Sequence, residues 1–449
     1  MPKRIRPLPM PIKVLNITPN GSIGGRERQL FLLSKEFQRY GDVVFDTLFL
    51  QPEGPFYEKT VQHQIKAHIL RFHRSDPRRV LRLWQIFRQY DILNFWGVNN
   101  LCFAVALLTR KNIVFCLQGT RAILGKSIRS LVGHFFNEYF GRLGKSVTDD
   151  APSKIAANET APRNDAISGI FPTALKWSGA KRLINREILR AFLHRCSRVI
   201  VPSRYLLEFC QNYFGLATQN IAIIHNAFDP NEIVLNKSRS VVRAELGLRQ
   251  ECFVVGTAAR FDPRKRLDRL VKTMSLLPAE IDVKAVIFGD GEPAMAQSLV
   301  RQMEELGVRS RILLPGFRTD IFGYLNAIDF FVLPSDSEGM GLAIVESLFL
   351  KLPTAVFADG GGVHEVIKDG ETGFVVKDEK ALASLIQNLY SDRLASQTIV
   401  ARGLRHVLDH FTVAKTALEY RRTFTALMEA QHPSLVHGKV ARVASAPVA

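Results

Sequence analysis

Two carboxylates in the second half of the chain have a spacing that suits an extended ligand. Glu338 and Glu346 lie in the segment LPSDSEGMGLAIVES. The pattern predicts a strand that ends at Leu333, a loop that holds Glu338, and a helix that begins at Gly339–Gly341. At 1.5 Å per helical residue the two carboxylates are about 12 Å apart. That length suits a nucleotide-sugar lying along the start of the helix.

Each part of such a ligand has a partner in this segment. Glu338 would accept hydrogen bonds from sugar hydroxyls, and Glu346 would accept them from the ribose diol. The diphosphate would meet the N–H groups at the helix start, which belong to Gly339, Met340, Gly341 and Leu342. In the structural alternative, Glu338 would be a helix N-terminal charge that the helix dipole stabilises, and Glu346 would be a solvated surface residue. The apolar neighbours of Glu346 favour the binding interpretation.

Two further segments follow predicted strands and carry anion-binding groups. Arg260 and Lys265 lie in GTAARFDPRKR, where two cations on a proline-stiffened loop suit a diphosphate. Gly21, Gly24 and Gly25 join the first strand to a helix that begins near Arg26, and they allow a close approach of backbone to ligand. The alternatives are a solvated basic loop and a simple connecting loop. The glycine spacing does not match GxGxxG.

Taken together, these segments resemble glycosyltransferase family 4, which comprises retaining, nucleotide-sugar-dependent enzymes of the GT-B fold. The likeness extends over about residues 12 to 430. Its most specific element, Glu-x7-Glu, falls on Glu338 and Glu346, and the donor-phosphate cations fall on Arg260 and Lys265. The resemblance also implies donor contacts at Gly24, Gly25, Gly289 and Gly291. Other family positions fall on Glu27, Asp290, Gly361, Gly362 and Glu365.

The sequence departs from the family pattern at two places. Ala227 replaces a glycine in HNAFD, and Gln118 replaces the histidine of a His-Gly pair. That histidine is thought to contact the donor sugar, whereas glutamine can exchange hydrogen bonds but cannot take a proton. The resemblance thus implies catalytic roles for Glu338, Arg260, Lys265 and Gln118.

The resemblance also implies a reaction that needs no metal or other cofactor. No carboxylate nucleophile is evident in the first half, so same-face attack is expected, with the departing phosphate helping to deprotonate the acceptor. Asp336 with Glu338, and Asp290 with Glu292, look like short metal-binding runs but are better explained as loop residues.

Short β-branched or aromatic runs alternate with helical patterns, which predicts an α/β chain with two facing, Rossmann-like, doubly wound domains. We expect an acceptor-side domain over residues 1–235, with a mobile insertion at 143–170, and a donor domain over 236–410. A helix over 411–431 would cross back to the first domain, and 432–449 would be a disordered tail. The thirteen predicted strands are 13–17, 43–49, 65–70, 92–96, 113–117, 198–201, 221–224, 253–257, 283–288, 312–314, 330–333, 354–357 and 374–376.

Charge and composition narrow the class further. The 449 residues carry a net charge of +18, and 47% of them are hydrophobic, which excludes a wholly disordered chain. No apolar run approaches the length of a membrane span, and no signal-peptide pattern opens the sequence. Five scattered cysteines indicate reduced core thiols and a cytoplasmic protein.

The basic excess is concentrated in one region. Residues 63–145 hold 14 Lys or Arg against three acids, a local excess of +11. Within it, residues 121–142 have an amphipathic, basic pattern that fits either an anionic membrane surface or a packed core helix. Peripheral association with the inner face of the plasma membrane is therefore one expectation. A nucleic-acid partner is not expected, because no recognition motif accompanies the charge.

These observations predict a glycosyltransferase that moves a sugar from a UDP- or GDP-linked donor to a glycan or lipid-linked acceptor. Its setting would be the synthesis of cell-surface polysaccharide or glycolipid. The alternative is a catalytically degenerate GT-B protein that binds nucleotide-sugar or acts as a scaffold. The replacement at Gln118 motivates that alternative.

Overall fold

Two parallel sheets form the framework of the molecule. The computed structural model describes residues 11–19, 21, 24–51, 54–70, 76, 78–119 and 186–431. A seven-stranded sheet has the order β3-β2-β1-β4-β5-β6-β7, and a six-stranded sheet has the order β10-β9-β8-β11-β12-β13. Strand order reverses beside β1 in the first sheet and beside β8 in the second, the arrangement of doubly wound folds.

The first sheet and its helices come from the first half of the chain. Its strands are β1 (Ile12–Thr18), β2 (Val43–Phe49), β3 (Ala67–Ile69), β4 (Ile92–Phe95), β5 (Asn112–Cys116), β6 (Arg198–Val201) and β7 (Ile221–Ile223). The helices that accompany it are α1 (Gly25–Phe37), α2 (Pro55–Gln62), α3 (Arg78–Phe87), α4 (Asn100–Leu108), α5 (186–195) and α6 (Arg204–Phe214).

The second sheet is built from the later residues in the same way. Its strands are β8 (Phe253–Ala258), β9 (Val283–Phe288), β10 (Ile312–Gly316), β11 (Phe330–Leu333), β12 (Thr354–Phe357) and β13 (Phe374–Val376). Its helices are α7 (Arg239–Glu245), α8 (Leu267–Ser275), α9 (Pro293–Glu305), α10 (Ile321–Leu325), α11 (Leu342–Phe349), α12 (Glu379–Ser391) and α13 (Gln397–His410).

The predicted α/β architecture is confirmed. The burial of the strands explains why the sequence pattern predicted them. Central strands such as β4 and β11 are buried at every position, because helices cover both faces of the sheet. They therefore read as short, continuous apolar runs. β2, β6, β9, β11, β12 and β13 have the predicted bounds, and each of the other strands differs by one or two residues at an end.

The last described helix, α14 (Val413–Gln431), packs on the first sheet although it follows the second in sequence. Ala417, Tyr420 and Phe424 are buried with side chains of α1 and β2 in one apolar cluster. The chain enters α14 beside the connection between the sheets, where Phe228 N–H donates to Phe411 O and Val413 N–H donates to Phe228 O. The expected crossing to the first sheet is thus present in the structure.

Three predicted segments lie outside the described residues: the insertion at 143–170, the amphipathic pattern at 121–142 and the tail at 432–449. The domain bounds likewise remain predictions. Within the part of the chain that the structure describes, no helix is both long enough and apolar enough to cross a membrane.

Candidate functional site

The residues singled out from the sequence follow the carboxyl ends of strands. Arg260 and Lys265 follow β8, and Glu338 follows β11, the strand that pairs with β8. Strand order in the second sheet reverses between these two strands. Loops diverge at such a switch point and leave a crevice, which is the common place for a ligand in open α/β sheets.

A lysine and a glutamate meet across this crevice. Lys265 Nζ donates to Glu338 Oε1 at 2.5 Å, and both side chains are mostly buried. The lysine ends a single 3-10 turn (Pro263–Lys265) whose start is capped by the Asp262 side chain. Arg266 then adopts a left-handed conformation, with φ of 46°, and α8 begins. The pair gives the crevice one cation and one hydrogen-bond acceptor within reach of each other.

The backbone beside Glu338 is held by the loop after β12. Glu338 N–H donates to Gly360 O at 2.9 Å, and Gly362 N–H donates to Glu338 O at 2.8 Å. A Cβ on Gly362 would lie 2.1 Å from Gly339 O, so only glycine allows this approach. The same loop reaches the first sheet, because Glu365 Oε1 accepts from Arg204 N–H at 2.7 Å.

Gly339 brings the two sheets together at the catalytic position that the resemblance implied. A Cβ on Gly339 would lie 2.5 Å from Gln118 O and 3.3 Å from Leu206 Cδ1. Gln118 follows β5, so the loops after β5 and β11 are in contact. Both amide atoms of Gln118 are buried and make no hydrogen bond in the described structure. A buried amide without a partner is costly, which makes Gln118 a candidate for contact with a ligand.

The helix beyond this contact begins later than the sequence predicted. We expected it to begin at Gly339–Gly341, but α11 begins at Leu342. Gly341 has a φ of 86°, a left-handed conformation, so it precedes the helix as its N-cap and is not part of it. The estimate of about 12 Å between Glu338 and Glu346, which assumed helical rise throughout, therefore does not apply. The N–H groups of Gly339, Met340 and Gly341 belong to a loop.

Glu346 is not a solvated surface residue. It is buried in the second turn of α11, and its Oε1 accepts a hydrogen bond from Arg28 Nη1 of α1. The arginine side chain is 29% exposed and the glutamate side chain 10%. Arg28 also lies over the Phe322 ring of α10, with 5.6 Å from its guanidinium carbon to the ring centroid. Glu346, the predicted partner of the donor ribose, is thus paired with Arg28 from a helix of the first sheet.

Sequence reasoning did not find Arg28. It lies 318 residues from Glu346, and no local pattern joins the two positions. The only signal was indirect: Arg28 belongs to the GGRERQ segment, which was singled out for its glycines and Glu27.

The two glycines before α1 differ in how closely other atoms approach them. Gly24 precedes α1, and a Cβ there would lie 2.8 Å from Glu27 Oε2. Glu27 itself is paired with Arg26. Gly25 begins α1, and a Cβ on it would meet nothing within 4 Å. Nothing in the geometry of Gly25 requires glycine, so its predicted contact with the donor stays a prediction.

The glycines after β9 serve close packing of two loops. A Cβ on Gly289 would lie 2.0 Å from Ala259 O, and one on Gly291 would lie 2.5 Å from Phe261 O. These contacts hold the loop that carries Arg260 and Lys265 against the end of β9. Arg260 is exposed and has no ion pair within the described residues. It is therefore free to meet an anion.

The short acidic runs behave as loop residues. Glu338 is paired with Lys265, and Asp336 lies 3.7 Å from Arg266. Among the residues that the structure describes, no three His, Cys, Asp or Glu side chains cluster as a metal site would require. That the reaction needs no metal stays a prediction.

Two doubly wound sheets whose loops face each other across a cleft define the GT-B class of fold. Comparison with known proteins supports the assignment of this chain to that class. The family model described as "Glycosyl transferases group 1" matches residues 238–405, and that described as "Glycosyltransferase Family 4" matches residues 171–232. The two matches do not overlap and together span half of the chain. The resemblance to glycosyltransferase family 4 that the sequence motifs indicated is therefore confirmed.

Curated relatives carry related names. EpsD of Bacillus subtilis, which is named as a glycosyltransferase, is 29% identical over 190 residues. The match covers 42% of this chain and 49% of EpsD. The lipopolysaccharide core biosynthesis mannosyltransferase LpsB of Rhizobium meliloti is 28% identical over 221 residues, or 47% of this chain and 62% of its own. The match thus spans about half of EpsD and 62% of LpsB.

Solved structures match over nearly the whole chain. HepE of Anabaena, solved in complex with UDP and glucose, has a TM-score of 0.67 and 21% identity, covering 92% of this chain and 100% of that one. WaaG, a glycosyltransferase involved in lipopolysaccharide biosynthesis, has a TM-score of 0.61 and 13% identity, covering 92% and 99%. At these identities the likeness establishes the fold.

Proposed function

We propose that the protein is a retaining glycosyltransferase that transfers a sugar from a UDP- or GDP-linked donor to a glycan or lipid-linked acceptor. The observation that carries this proposal is the cleft itself. The Lys265–Glu338 pair lies at the switch point of the second sheet. Gln118, whose amide has no partner in the described structure, lies in the loop of the first sheet that contacts Gly339. Relatives named for lipopolysaccharide and undecaprenol-linked sugar transfer support the choice of acceptor class.

The donor would occupy the crevice between the loops after β8 and β11. Its diphosphate would meet Arg260, Lys265 and the N–H groups of Gly339 to Leu342. Its ribose diol would replace Arg28 as the partner of Glu346. Glu338 would accept from sugar hydroxyls while Gln118 donates to the sugar from the other side. HepE, which shares the fold, has been solved with UDP-glucose.

The transfer would proceed on one face of the sugar. The bond between the anomeric carbon and the diphosphate oxygen breaks, and its electron pair leaves with the nucleotide diphosphate. The acceptor oxygen bonds to the anomeric carbon on the same face, and its proton passes to the departing phosphate. Arg260 and Lys265 would stabilise the charge that builds on that phosphate, which is the main electrostatic demand of the step.

A donor screen tests this proposal. UDP-, GDP- and ADP-sugars are added in turn, and a bound donor raises the unfolding temperature by mass action. The donor found is then incubated with glycan and lipid-linked acceptors, and the anomeric configuration of the product is read by NMR. A product that keeps the donor's anomeric configuration supports the proposal. Donor binding without nucleotide release for any acceptor would favour the non-catalytic alternative.

The basic excess over residues 63–145 supports a second element of the proposal, which is contact with an anionic membrane surface. The test changes Lys126 and Arg129 to glutamine and measures sedimentation with vesicles that contain phosphatidylglycerol. We expect weaker binding at low salt than for the unchanged protein, because each cation near such a surface contributes attraction. Equal binding of the two proteins would remove this element and leave the donor proposal intact.

A further inference from the structure

A second cavity, with a volume of about 580 Å³, lies at the opposite edge of the first sheet from the cleft. Its walls come from the end of α4, the starts of β5 and β6, the end of α5 and the last described turn of α14. Asn112 lines the cavity at the start of β5, whereas Gln118 follows the other end of the same strand. The two sites are therefore separated by the length of the strand.

Among the described residues, four cations line this cavity and no acidic side chain does; the cations are Arg110, Lys111, Arg195 and Arg198. None of them makes an ion pair within the described residues. Arg198 donates from Nη1 to the backbone oxygen of Gln219, while its Nε is buried and has no hydrogen-bond partner in the described structure. The cavity thus concentrates positive charge that the protein does not neutralise locally.

The helices that end at the cavity neutralise part of this positive charge but not most of it. The carboxyl ends of α4 and α5 reach the cavity, and each carries a partial negative charge of about half a unit. Cations are favourable at such ends. Four full positive charges nevertheless exceed what two helix ends can neutralise. The excess makes the cavity attractive to an anion of more than one charge.

The remaining wall residues match a phosphate ester better than a simple ion. Asn112, Ser197 and Gln431 add neutral polar groups, and the arginine side chains can each contact two phosphate oxygens. Leu107, which also lines the cavity, is 44% exposed, and the next residue, Leu108, is 71% exposed. Phosphate contacts inside and apolar side chains outside suit a phosphate group that carries an organic part.

We propose that this cavity binds a phosphate-bearing ligand, whose source is either a free diphosphate or the headgroup of an anionic lipid. The site is independent of the donor cleft. Its position under α14 also places the ligand against the helix that crosses back from the second sheet, since Leu427, Ala430 and Gln431 form part of the wall.

The test compares two double variants of the full chain. Arg110→Asn with Lys111→Gln removes two cavity charges, and asparagine tolerates the φ of 54° at position 110. Arg301→Gln with Arg402→Gln removes the same charge from exposed helix positions elsewhere. One arm titrates inorganic pyrophosphate by calorimetry and counts sites. The other measures binding to phosphatidylcholine vesicles with and without phosphatidylglycerol.

We expect the cavity variant, but not the control, to lose one pyrophosphate site or to bind anionic vesicles roughly thirty-fold more weakly. Loss in the first arm identifies a free phosphate source, and loss in the second arm alone identifies a lipid. Arg110→Lys with Lys111→Arg should retain binding. Should the first variant fail to fold, Lys111→Gln with Arg195→Gln replaces it. Equal behaviour of cavity and control variants in both arms would overturn the proposal.

Discussion

Arg28 and Glu346 form an ion pair that the proposed donor must break. The pair joins α1 to α11, and both side chains are partly or largely buried. A carboxylate already bound to a guanidinium is a poor acceptor for a ribose diol until the cation moves away. Glu346 is therefore paired within the protein at the position proposed for the ribose, as Glu338 is paired with Lys265.

Replacing the arginine should make Glu346 easier to reach. We expect Arg28→Gln to bind the nucleotide-sugar several-fold more tightly, because no ion pair has to be separated first. Calorimetric titration with the donor from the screen measures this, with Lys35→Gln on the same helix as the matched control. Weaker binding by the Arg28 variant alone would show that this arginine contacts the donor instead.

The buried amide of Gln118 predicts opposite effects on stability and activity. A buried polar group without a partner costs about 1–3 kcal/mol, so Gln118→Leu should raise the unfolding temperature. The same change removes the amide that would contact the sugar, so kcat should fall by about ten-fold or more. Thermal unfolding and turnover are measured on the same preparation. A variant that is less stable, or fully active, would contradict this account of the residue.

At the scale of elements, the cleft depends on loops that approach each other without side chains. Gly339 lies against the Gln118 carbonyl, and Gly362 lies against the Gly339 carbonyl. Backbone atoms cannot swing aside as the end of a flexible side chain can. An added Cβ on Gly339 must therefore move the loops of one sheet relative to those of the other, whereas one on Gly362 must separate the loops after β11 and β12.

Gly339→Ala should separate the loops after β5 and β11. The clash of 2.5 Å involves backbone, so we expect donor affinity and turnover both to fall by at least ten-fold while the two sheets stay folded. Gly41→Ala is the control, since a Cβ there meets nothing within 4 Å. Circular dichroism checks folding. Unchanged kinetics in the Gly339 variant would show that the contact does not shape the site.

Some elements of the fold and of the candidate site could be predicted from the sequence, and others could not. β11 and β12 were predicted with their observed bounds, because buried parallel strands read as continuous apolar runs. The predicted start of α11 was wrong because Gly341 takes a left-handed conformation, which the sequence pattern does not indicate. Glu338 and Lys265 were both found, but their pairing was not, since it depends on how two loops leave neighbouring strands.

The phosphate-binding cavity was missed for a related reason. Arg110, Arg195 and Arg198 are brought together only by the pairing of β5 with β6, and the wall of α14 comes from more than 200 residues further along. Sequence analysis placed the basic excess in 63–145 but could not say which of its cations would share a cavity.

For the whole molecule, the five cysteines make a prediction about alkaline stability. All five are free and buried, as expected from the sequence. Burial raises the pKa of Cys102, Cys116 and Cys210 to about 12 and that of Cys252 to about 11, from an ordinary value of 9.0. The folded protein therefore holds these protons at pH values where the unfolded chain has released them.

Stability should accordingly be highest below pH 9 and fall as the pH rises above it, by up to about 1.4 kcal/mol per pH unit for each thiol. Urea unfolding at pH 8 and pH 10 measures the loss. Ellman's reagent at pH 8 should find the thiols unreactive in the folded protein and all five reactive in urea. A flat pH dependence together with rapid labelling would contradict burial of the thiols.

A nucleotide-sugar that lies between the two sheets with its ribose on Glu346 is the central element of the proposed function. The most direct measurement is calorimetric titration of the donor into the unchanged protein, Glu346→Gln and the exposed control Glu371→Gln. We predict that Glu346→Gln weakens donor binding by about ten- to one-hundred-fold, since it removes a charged acceptor, while the control binds normally. Equal affinity in a folded Glu346 variant would contradict the placement of the donor in this cleft.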